Sequence, residues 1–354
     1  MKRVFFFLPA LFAVAALHGQ APYAVYGDNT AVPFLRIAPD ARAAGMGDAG
    51  AASADDANAI HWNLSQLAFA RQKISFAVSY TPWLRALVPD VSHSFISFSY
   101  KRDSVSAIAA SLRYFSMGNV TTGIAGTPTQ FRPNEFAFDV GYTRRLTTQF
   151  AAGITARFIQ SNPSGINGIF VREGGGRACA GDISFTWQGG PVGNAIRYLQ
   201  PTVGLAITNI GTKMWYQDRD SASFLPANVR LGVALLLHKE VHRVILQGEV
   251  NRLLVPVPSA MNTAEVQHPV VIGGGIEYTC YSMFKVRGGY SRSYFNYSNL
   301  AYFTTGVGVE FNVFQLDVSY LIPANTIRSP LENTMRFSML FKFGALQKTK
   351  SLHR

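Results

Sequence analysis

Residues 135–145 read EFAFDVGYTRR, and polarity alternates residue by residue along this stretch. One set of alternate positions is apolar and consists of Phe136, Phe138, Val140 and Tyr142. The intervening set is polar and includes Glu135, Asp139 and Arg145. A period of two residues is that of a β-strand with one apolar and one polar face. The stretch therefore predicts a strand that separates two unlike environments.

The same period recurs in fourteen segments, which we predict as antiparallel strands. They are 74–80, 92–100, 105–116, 134–145, 149–160, 178–188, 201–210, 226–237, 241–253, 269–280, 283–292, 302–311, 314–321 and 335–344. Short connections alternate with long ones, and only 189–200 departs from this pattern. Outer-membrane barrels have an even strand number, short periplasmic turns and long external loops. The chain is therefore predicted to be all-β, with a 14-stranded antiparallel transmembrane β-barrel over 74–344 and both termini in the periplasm.

A soluble β-sandwich is the competing architecture, because its strands also alternate. Two features weigh against it. Many polar-face positions hold Gly, Ala, Ser or Thr where a solvated face would carry Lys and Glu. Aromatic residues lie near the ends of the apolar faces, as in the girdles of membrane barrels; they are Tyr80, Tyr100, Tyr114, Tyr142, Tyr278 and Tyr320.

In a barrel the polar faces line the lumen, and here they carry charges of both signs. By parity these are Asp139, Glu249, Glu277, Glu310, Asp317, Arg113, Arg157, Arg230, Arg243, Lys285, Arg287, Arg336 and Lys342. Two interpretations stay open. The charges form ion pairs that support the wall or a plug, or they line a weakly anion-attracting pore. Fourteen strands enclose more space than wall side chains alone need fill.

The composition fits this architecture and excludes others. The chain has 32 Lys+Arg and 20 Asp+Glu, a net charge of +12, yet only 15% of its residues are charged and 48% are hydrophobic. Disordered chains combine low hydrophobicity with high net charge. The basic residues are dispersed and lack the patch with interleaved aromatics that nucleic-acid binding needs. The charge favours anionic lipopolysaccharide and outer-membrane lipid as neighbours, and no nucleic acid.

The first twenty residues have the features of a secretory signal peptide. Lys2 and Arg3 are followed by the apolar run 4–17 and then by small or polar residues. That run is shorter than the roughly 20 residues that span a bilayer. We therefore predict a signal peptide at 1–20, a plug segment at 21–73 before the first strand, and a short periplasmic tail at 345–354.

Enzymatic motifs are weak throughout the sequence. Gly45, Gly47 and Gly50 satisfy G-x-G-x-x-G, but no apolar strand precedes them as a dinucleotide site requires. A tight turn with close backbone packing is the preferred interpretation. The two cysteines, Cys179 and Cys280, lack neighbouring residues at zinc-ligand spacing. We predict no catalytic, cofactor or metal site, and no enzyme activity.

The predicted plug contains two distinctive sequence motifs. FLRIAPDARAAGMGDAG spans 34–50 and DANAIHWN spans 56–63. Both closely resemble the N-terminal region of the PorV family, also called LptO, outer-membrane proteins of the type IX secretion system of Bacteroidetes. The second run is also similar to FadL-like fatty-acid transporters, in which proline occupies the position of Leu64. The plug-motif residues are Arg36, Asp40, Arg42, Gly45, Gly47, Asp48, Gly50, Asp56, Trp62 and Asn63.

The resemblance implies a non-enzymatic function in protein secretion. A PorV-like protein is expected to bind cargo bearing a C-terminal signal domain and to deliver it from the translocon to a sortase-like surface attachment complex. The alternative is a FadL-like transporter of fatty acids or other hydrophobic small molecules, which needs an apolar lumenal pocket and a lateral opening at a strand kink. A lipid-modifying enzyme is a third, weaker interpretation.

Two predicted external loops hold apolar residues that a solvated loop does not need. They are Trp83, Leu84 and Leu87 in the first loop, and Met214, Trp215, Tyr216, Phe224 and Leu225 in the fourth. Exposed clusters of this kind mark interaction surfaces. We predict them as cargo-binding or partner-binding residues, with folding over the barrel mouth or into the outer leaflet as the equally weighted alternative.

Overall fold

The computed structural model describes most of the chain after residue 29. The described residues are 30–85, 88, 90–124, 127–162, 175–216, 222–255, 257–258, 266–267, 269–294, 300–324 and 331–345. The predicted signal peptide, the predicted C-terminal tail beyond 345 and Leu87 lie outside them. No helix among the described residues is long and apolar enough to cross a membrane.

Fourteen long strands form one sheet. They are β1 (Gln72–Pro82), β2 (Ser92–Lys101), β3 (Ser106–Ser116), β4 (Asn134–Arg145), β5 (Phe150–Asn162), β6 (Gly176–Gln188), β7 (Arg197–Gly211), β8 (Asn228–Lys239), β9 (His242–Leu253), β10 (Val270–Cys280), β11 (Phe284–Tyr294), β12 (Ala301–Phe311), β13 (Phe314–Pro323) and β14 (Met335–Ala345). Each strand pairs antiparallel with the next. β1 also pairs with β14, from Gln72 opposite Ala345 to Tyr80 opposite Phe337, so the sheet closes. The predicted 14-stranded barrel is confirmed.

The connections define two ends of the barrel. The short-turn end carries the tight turns, such as 281–283 between β10 and β11, and the long-loop end carries the loops that precede every even-numbered strand. The exception at 189–200 has a structural cause. β7 begins at Arg197, and Val192–Gly193 pairs with Tyr198 and Leu199, so much of the connection is an extended ribbon. Two small hairpins, Val120–Ile124 with Thr127–Phe131 and Val257–Pro258 with Val266–Gln267, extend long loops.

The two faces of the wall follow the two-residue period. Many outward positions are large and apolar; Phe138 is 47% and Val140 50% exposed, although both belong to the middle of β4. The intervening inward residues are buried, and Asp139 is 0% exposed. A closed barrel satisfies its backbone groups between strands, and only its outer side chains meet lipid.

The chain before β1 lies inside the barrel. It contains a 3-10 helix at Pro33–Arg36, α1 (Ala41–Ala44), α2 (Ala59–Trp62) and a second 3-10 helix at Leu64–Phe69. The amide of Ala31 donates to the carbonyl of Phe224 at the long-loop end. Lys101, at the short-turn end of β2, donates to the carbonyls of Ala68 and Ala70. Residues 30–70 therefore run down the lumen and end where β1 begins. We call them the lumenal segment.

β14 ends at the short-turn end, whereas the described chain begins at the long-loop end. Residues 1–29 and 346–354 lie outside the described residues. The location of both termini in the periplasm, and the boundaries of the signal peptide, plug and tail, stay predictions.

Candidate functional site

Ion pairs hold the lumenal segment to the wall. Arg42, in α1, donates from Nε and Nη2 to the two oxygens of Glu277 on β10, at 3.0 and 3.2 Å. Glu277 also accepts from Nε of Arg287 at 2.7 Å, and Arg287 donates to Asp317 at 2.8 Å. Glu277, Arg287 and Asp317 are each 2% exposed. A single buried chain of alternating charges thus connects the segment to β10, β11 and β13.

A second buried network lies on the opposite wall. Asp139 on β4 accepts from Arg113 at 2.8 Å and from Arg157 at 2.6 Å. Arg157 also donates to Asp182 on β6 at 2.8 Å. Arg113 reaches the lumenal segment by donating to the carbonyl of Leu35 at 3.1 Å. Of the two interpretations of the lumenal charges, the structure shows ion pairs that support the wall and its filling.

Glycines allow the backbone of the lumenal segment to pack directly against the backbone of β10–β12. Gly47 has φ +76°, and a Cβ there would lie 2.4 Å from the carbonyl oxygen of Tyr290. A Cβ on Gly273 or Gly289 would lie 2.2 or 2.3 Å from backbone atoms of Gly47. The Gly47 amide donates to the hydroxyl of Thr304 at 2.9 Å. The glycine run 45–50 therefore forms a turn seated against a glycine-lined part of the wall, with no room for a phosphate.

The other motif residues also have structural partners. Asp40 caps α1 by accepting from Ala43 at 2.9 Å, and it accepts from the Trp62 indole at 2.6 Å. Asp48 accepts from Arg336 at 2.8 Å. Asn63 donates to the carbonyl of Ala51 at 2.8 Å.

Further lumenal residues complete these contacts; Glu249 was predicted as a lumenal charge, whereas Tyr302 and Thr304 were not singled out. Glu249 accepts from the amides of Gly50 and Ala51 at 2.9 and 2.8 Å. Tyr302 donates to Asp48, and Thr304 accepts from Gly47. Tyr302 and Thr304 occupy inward positions of β12, so strand parity could have placed them in the lumen but not identified their partners.

Several titratable groups of the lumenal segment have shifted pKa values, among them Asp56 and His61. Burial raises the pKa of the Asp56 carboxyl to about 6, against the opposing effect of the Arg42 charge, while Asp55 and Asp40 add to the rise. Burial, together with the charges of Arg230 and Arg113, holds the pKa of His61 well below its usual range. His61 is therefore a neutral imidazole, and its Nδ1 lies 3.1 Å from Nη1 of Arg113.

An apolar cluster, the mouth cluster, closes the lumen at the long-loop end. It joins Phe34, Leu35 and Ile37 of the lumenal segment to residues of the wall and loops. Five predicted partner-binding residues belong to it and are at most 7% exposed: Trp83, Leu84, Met214, Tyr216 and Leu225. Their assignment to a partner surface is therefore corrected. They fold over the mouth because the top of the lumenal segment offers them an apolar surface.

Trp215 and Phe224 differ from these five. They are 51% and 46% exposed. Met214 and Ser223 form an antiparallel bridge, so residues alternate between two faces of the loop between β7 and β8. Lys213, Trp215 and Phe224 share the outward face, and Nζ of Lys213 lies 4.3 Å from the Phe224 ring centroid. The alternation in 213–216 could have separated the buried from the exposed residues.

The lumen contains a small cavity of about 50 Å³ between the lumenal segment and the wall. Its lining includes Arg36, Asp48, Arg230 and Glu249. These charges suit water or a polar solute better than a hydrocarbon. Among the described residues, no group of three or more His, Cys, Asp or Glu side chains is placed to hold a metal ion.

A family model supplies the decisive comparison. The model of the type IX secretion system protein PorV matches residues 26–260, well over half of the chain. The chain belongs to the PorV family. Membership makes it an outer-membrane component of type IX secretion, and the matched range includes the whole lumenal segment from residue 30 and β1 to β9. Comparison with curated proteins finds no matching sequence.

Solved structures with a similar barrel fold include toluene transporters. The toluene transporter TbuX of Ralstonia pickettii is 12% identical with a TM-score of 0.54, over 89% of this chain and 100% of that one. The toluene transporter TodX of Pseudomonas putida is 13% identical with a TM-score of 0.50, over 86% of this chain and 96% of that one. At these identities the likeness shows the FadL-like fold alone.

Proposed function

We propose that the protein is a non-enzymatic carrier in type IX secretion, which binds cargo bearing a C-terminal signal domain at the long-loop end. The long-loop end faces the cell exterior in this proposal. The protein takes cargo from the translocon and presents it to a sortase-like surface attachment complex. The observation that carries the proposal is an exposed surface on the loop between β7 and β8. It consists of Trp215, Phe224 and Lys213, while the inner face of the same loop is buried.

The anchoring of that loop supports its use as a binding surface. The carbonyl of Phe224 accepts from Ala31 of the lumenal segment, and Met214 and Leu225 pack in the mouth cluster. The backbone is thus held while the aromatic side chains project outward. Aromatic residues held in place lose little conformational entropy on binding and are enriched at interaction hot spots.

The transporter alternative has the solved relatives' fold in its favour, and β7 carries a bulge between Ile207 and Ile210. The bulge is filled by polar contacts. The amide of Asn209 donates to Asp182 at 2.7 Å, and Arg157 donates to the Asn209 side chain. A lumen closed by ion pairs and an apolar mouth cluster suits a carrier that binds outside its barrel.

Deletion of the gene tests the two functions. We expect signal-bearing cargo to accumulate in the periplasm, and uptake of toluene or a fatty acid to be unchanged. Normal secretion combined with lost uptake would show that the protein is a transporter.

The binding surface is tested by replacing Trp215 and Phe224 together with Ser. We expect cargo co-purification to fall at least about tenfold, since each hot-spot aromatic contributes more than about 1 kcal/mol. The matched control is Tyr281→Ser, which removes an aromatic that is 70% exposed in a turn at the opposite end. Equal co-purification by both variants would exclude Trp215 and Phe224 from the cargo surface.

A further inference from the structure

Two arginines interrupt the apolar outer wall near its long-loop end. Arg252 on β9 follows the exposed residue Val250, and Arg292 on β11 lies between Tyr290 and Tyr294, in the outward set of each strand. Both flank β10, where Arg252 is opposite Val270 and Arg292 is opposite Ile272. Neighbouring strands are about 4.8 Å apart, so β9 and β11 are about 10 Å apart. The two arginines are also offset by two residues of β10, about 7 Å along the strands, so their positions lie about 12 Å apart on the outer wall.

These arginines differ from Arg42, Arg113, Arg157, Arg287 and Arg336 of the lumen, which are paired with carboxylates. Neither Arg252 nor Arg292 forms an ion pair within the described part of the chain. The guanidinium of Arg292 lies 4.9 Å from the Tyr294 ring centroid, and its Nε is buried without a described acceptor. Guanidinium groups match phosphate oxygens in geometry and charge.

A trough without side chains begins on the membrane side of the two arginines. Gly248 and Gly288 are four residues toward the barrel centre from Arg252 and Arg292, on β9 and β11. Gly274 on β10 is opposite Gly248 on one side and Tyr290 on the other, and Gly288 is opposite Ile276. A Cβ on Gly288 would meet no atom within 4 Å, and one on Gly248 would meet only the Gly273 carbonyl at 4.0 Å. The three glycines therefore form a diagonal row across β9–β11, bordered by the exposed side chains of Tyr290 and Ile276.

We propose that β9–β11 bind one phosphorylated lipid of the outer leaflet, whose phosphate lies between Arg252 and Arg292 and whose acyl chain lies over Gly248, Gly274 and Gly288. The proposal rests on the outward-facing long-loop end of the proposed function, because that end places the arginines at the outer leaflet. Phosphate supplies the anion that the arginines lack, and the trough selects a lipid over free phosphate.

Binding is measured by native mass spectrometry of the purified full-length protein in mild detergent, with lipid A as the probe. We expect Arg252→Ala with Arg292→Ala to weaken lipid A binding at least tenfold. The matched control is Arg144→Ala with Arg177→Ala, which removes two exposed outward arginines elsewhere on the wall. Equal binding by the first pair and wild type, or equal loss in both pairs, would overturn the proposal.

Gly288→Leu distinguishes a lipid from its phosphate. It fills the trough without changing charge, and the open space there leaves the barrel intact, as heat-dependent gel mobility would verify. We expect weaker lipid A binding and no change with inorganic phosphate as the probe. Unchanged lipid A binding would exclude the acyl-chain site. The lipid-binding assay contains no cargo. Loss of cargo capture together with normal lipid A binding would therefore count against the proposed function and leave the lipid site standing.

Discussion

The inner and outer walls of this barrel are built from the same strands but follow different rules. Asp139 and Val140 are adjacent on β4, yet one is fully buried between two arginines and the other is half exposed to lipid. Inner charged side chains such as Asp139, Glu277 and Arg287 meet specific partners in the lumenal segment or on a neighbouring strand. Outer side chains meet lipid, which adapts to any apolar shape.

This difference teaches where the specificity of the fold resides. A lipid-facing residue needs only to be apolar, whereas an inner residue must match a charge, a hydrogen bond or a backbone contact. Buried ion pairs add little net stability when formed, but removing one member leaves an uncompensated charge. The inner wall is therefore expected to be intolerant of substitution, and the outer wall tolerant.

The largest expected effect comes from Asp139→Ala, which leaves Arg113 and Arg157 facing each other without their shared carboxylate. Loss of one partner from a buried ion pair costs about 3–5 kcal/mol, and two arginines are affected here, so we expect about 5 kcal/mol. The midpoint of heat unfolding, followed by gel mobility, should fall sharply. The adjacent Val140→Ala faces lipid and should leave that midpoint almost unchanged. Similar midpoints for both variants would contradict the difference between the walls.

The two tryptophans of the long-loop end extend the comparison to the loops. Trp83 is 2% exposed in the mouth cluster and Trp215 is 51% exposed. Trp83→Ala should cost about 3–4 kcal/mol, as expected for a large buried side chain. Trp215→Ala should change stability by less than about 0.5 kcal/mol while weakening cargo co-purification. A stable Trp83→Ala protein with impaired cargo binding would reverse the two assignments.

Substitution of glycines should also destabilise the protein more on the inner side of the barrel than on the outer side, but by less than the changes above. Gly47→Ala places a Cβ against the Tyr290 carbonyl and requires a non-glycine residue at φ +76°. Strained backbone of this kind costs about 1–3 kcal/mol. Gly288→Ala on the outer wall meets no neighbour and is the matched control. Proteolysis of the lumenal segment at its short-turn end should increase only in Gly47→Ala; equal protection of both variants would show that the turn is not held by close packing.

The sequence predicted the wall far better than the mouth. A period of two is a local property, so strand positions, the inward charges and the fourteen-strand count could be read directly. The partners of Arg42 and Asp48 could not, because Glu277 and Arg336 are more than two hundred residues away along the chain. Trp83 and Trp215 look alike in sequence. Only the apolar top of the lumenal segment, around Phe34, determines which of them is buried.

The smallest expected effect concerns pH and the buried carboxyl of Asp56, which lies near Arg42, Asp55 and Asp40. Its pKa in the folded protein is about 6, above the ordinary aspartate value of 3.8. The folded state therefore binds this proton more tightly than the unfolded state. The resulting stabilisation is present at low pH and is lost as pH rises through about 6. Between pH 5 and 7 the loss should be about 1 kcal/mol.

Asp56→Asn tests this dependence, because asparagine can still accept from the Asn58 amide as Asp56 does at 2.9 Å. The heat-unfolding midpoint of wild type should fall more between pH 5 and 7 than that of the variant. Asp103→Asn is the control; hydrogen bonds from Ser106 and Val105 hold the pKa of Asp103 at about 2, so it does not titrate in this range. Parallel pH profiles for wild type and Asp56→Asn would show that the lumen does not retain this proton. That result would place Asp56 in contact with water, and the inner wall at this point would then resemble a solvated pore more than a packed core.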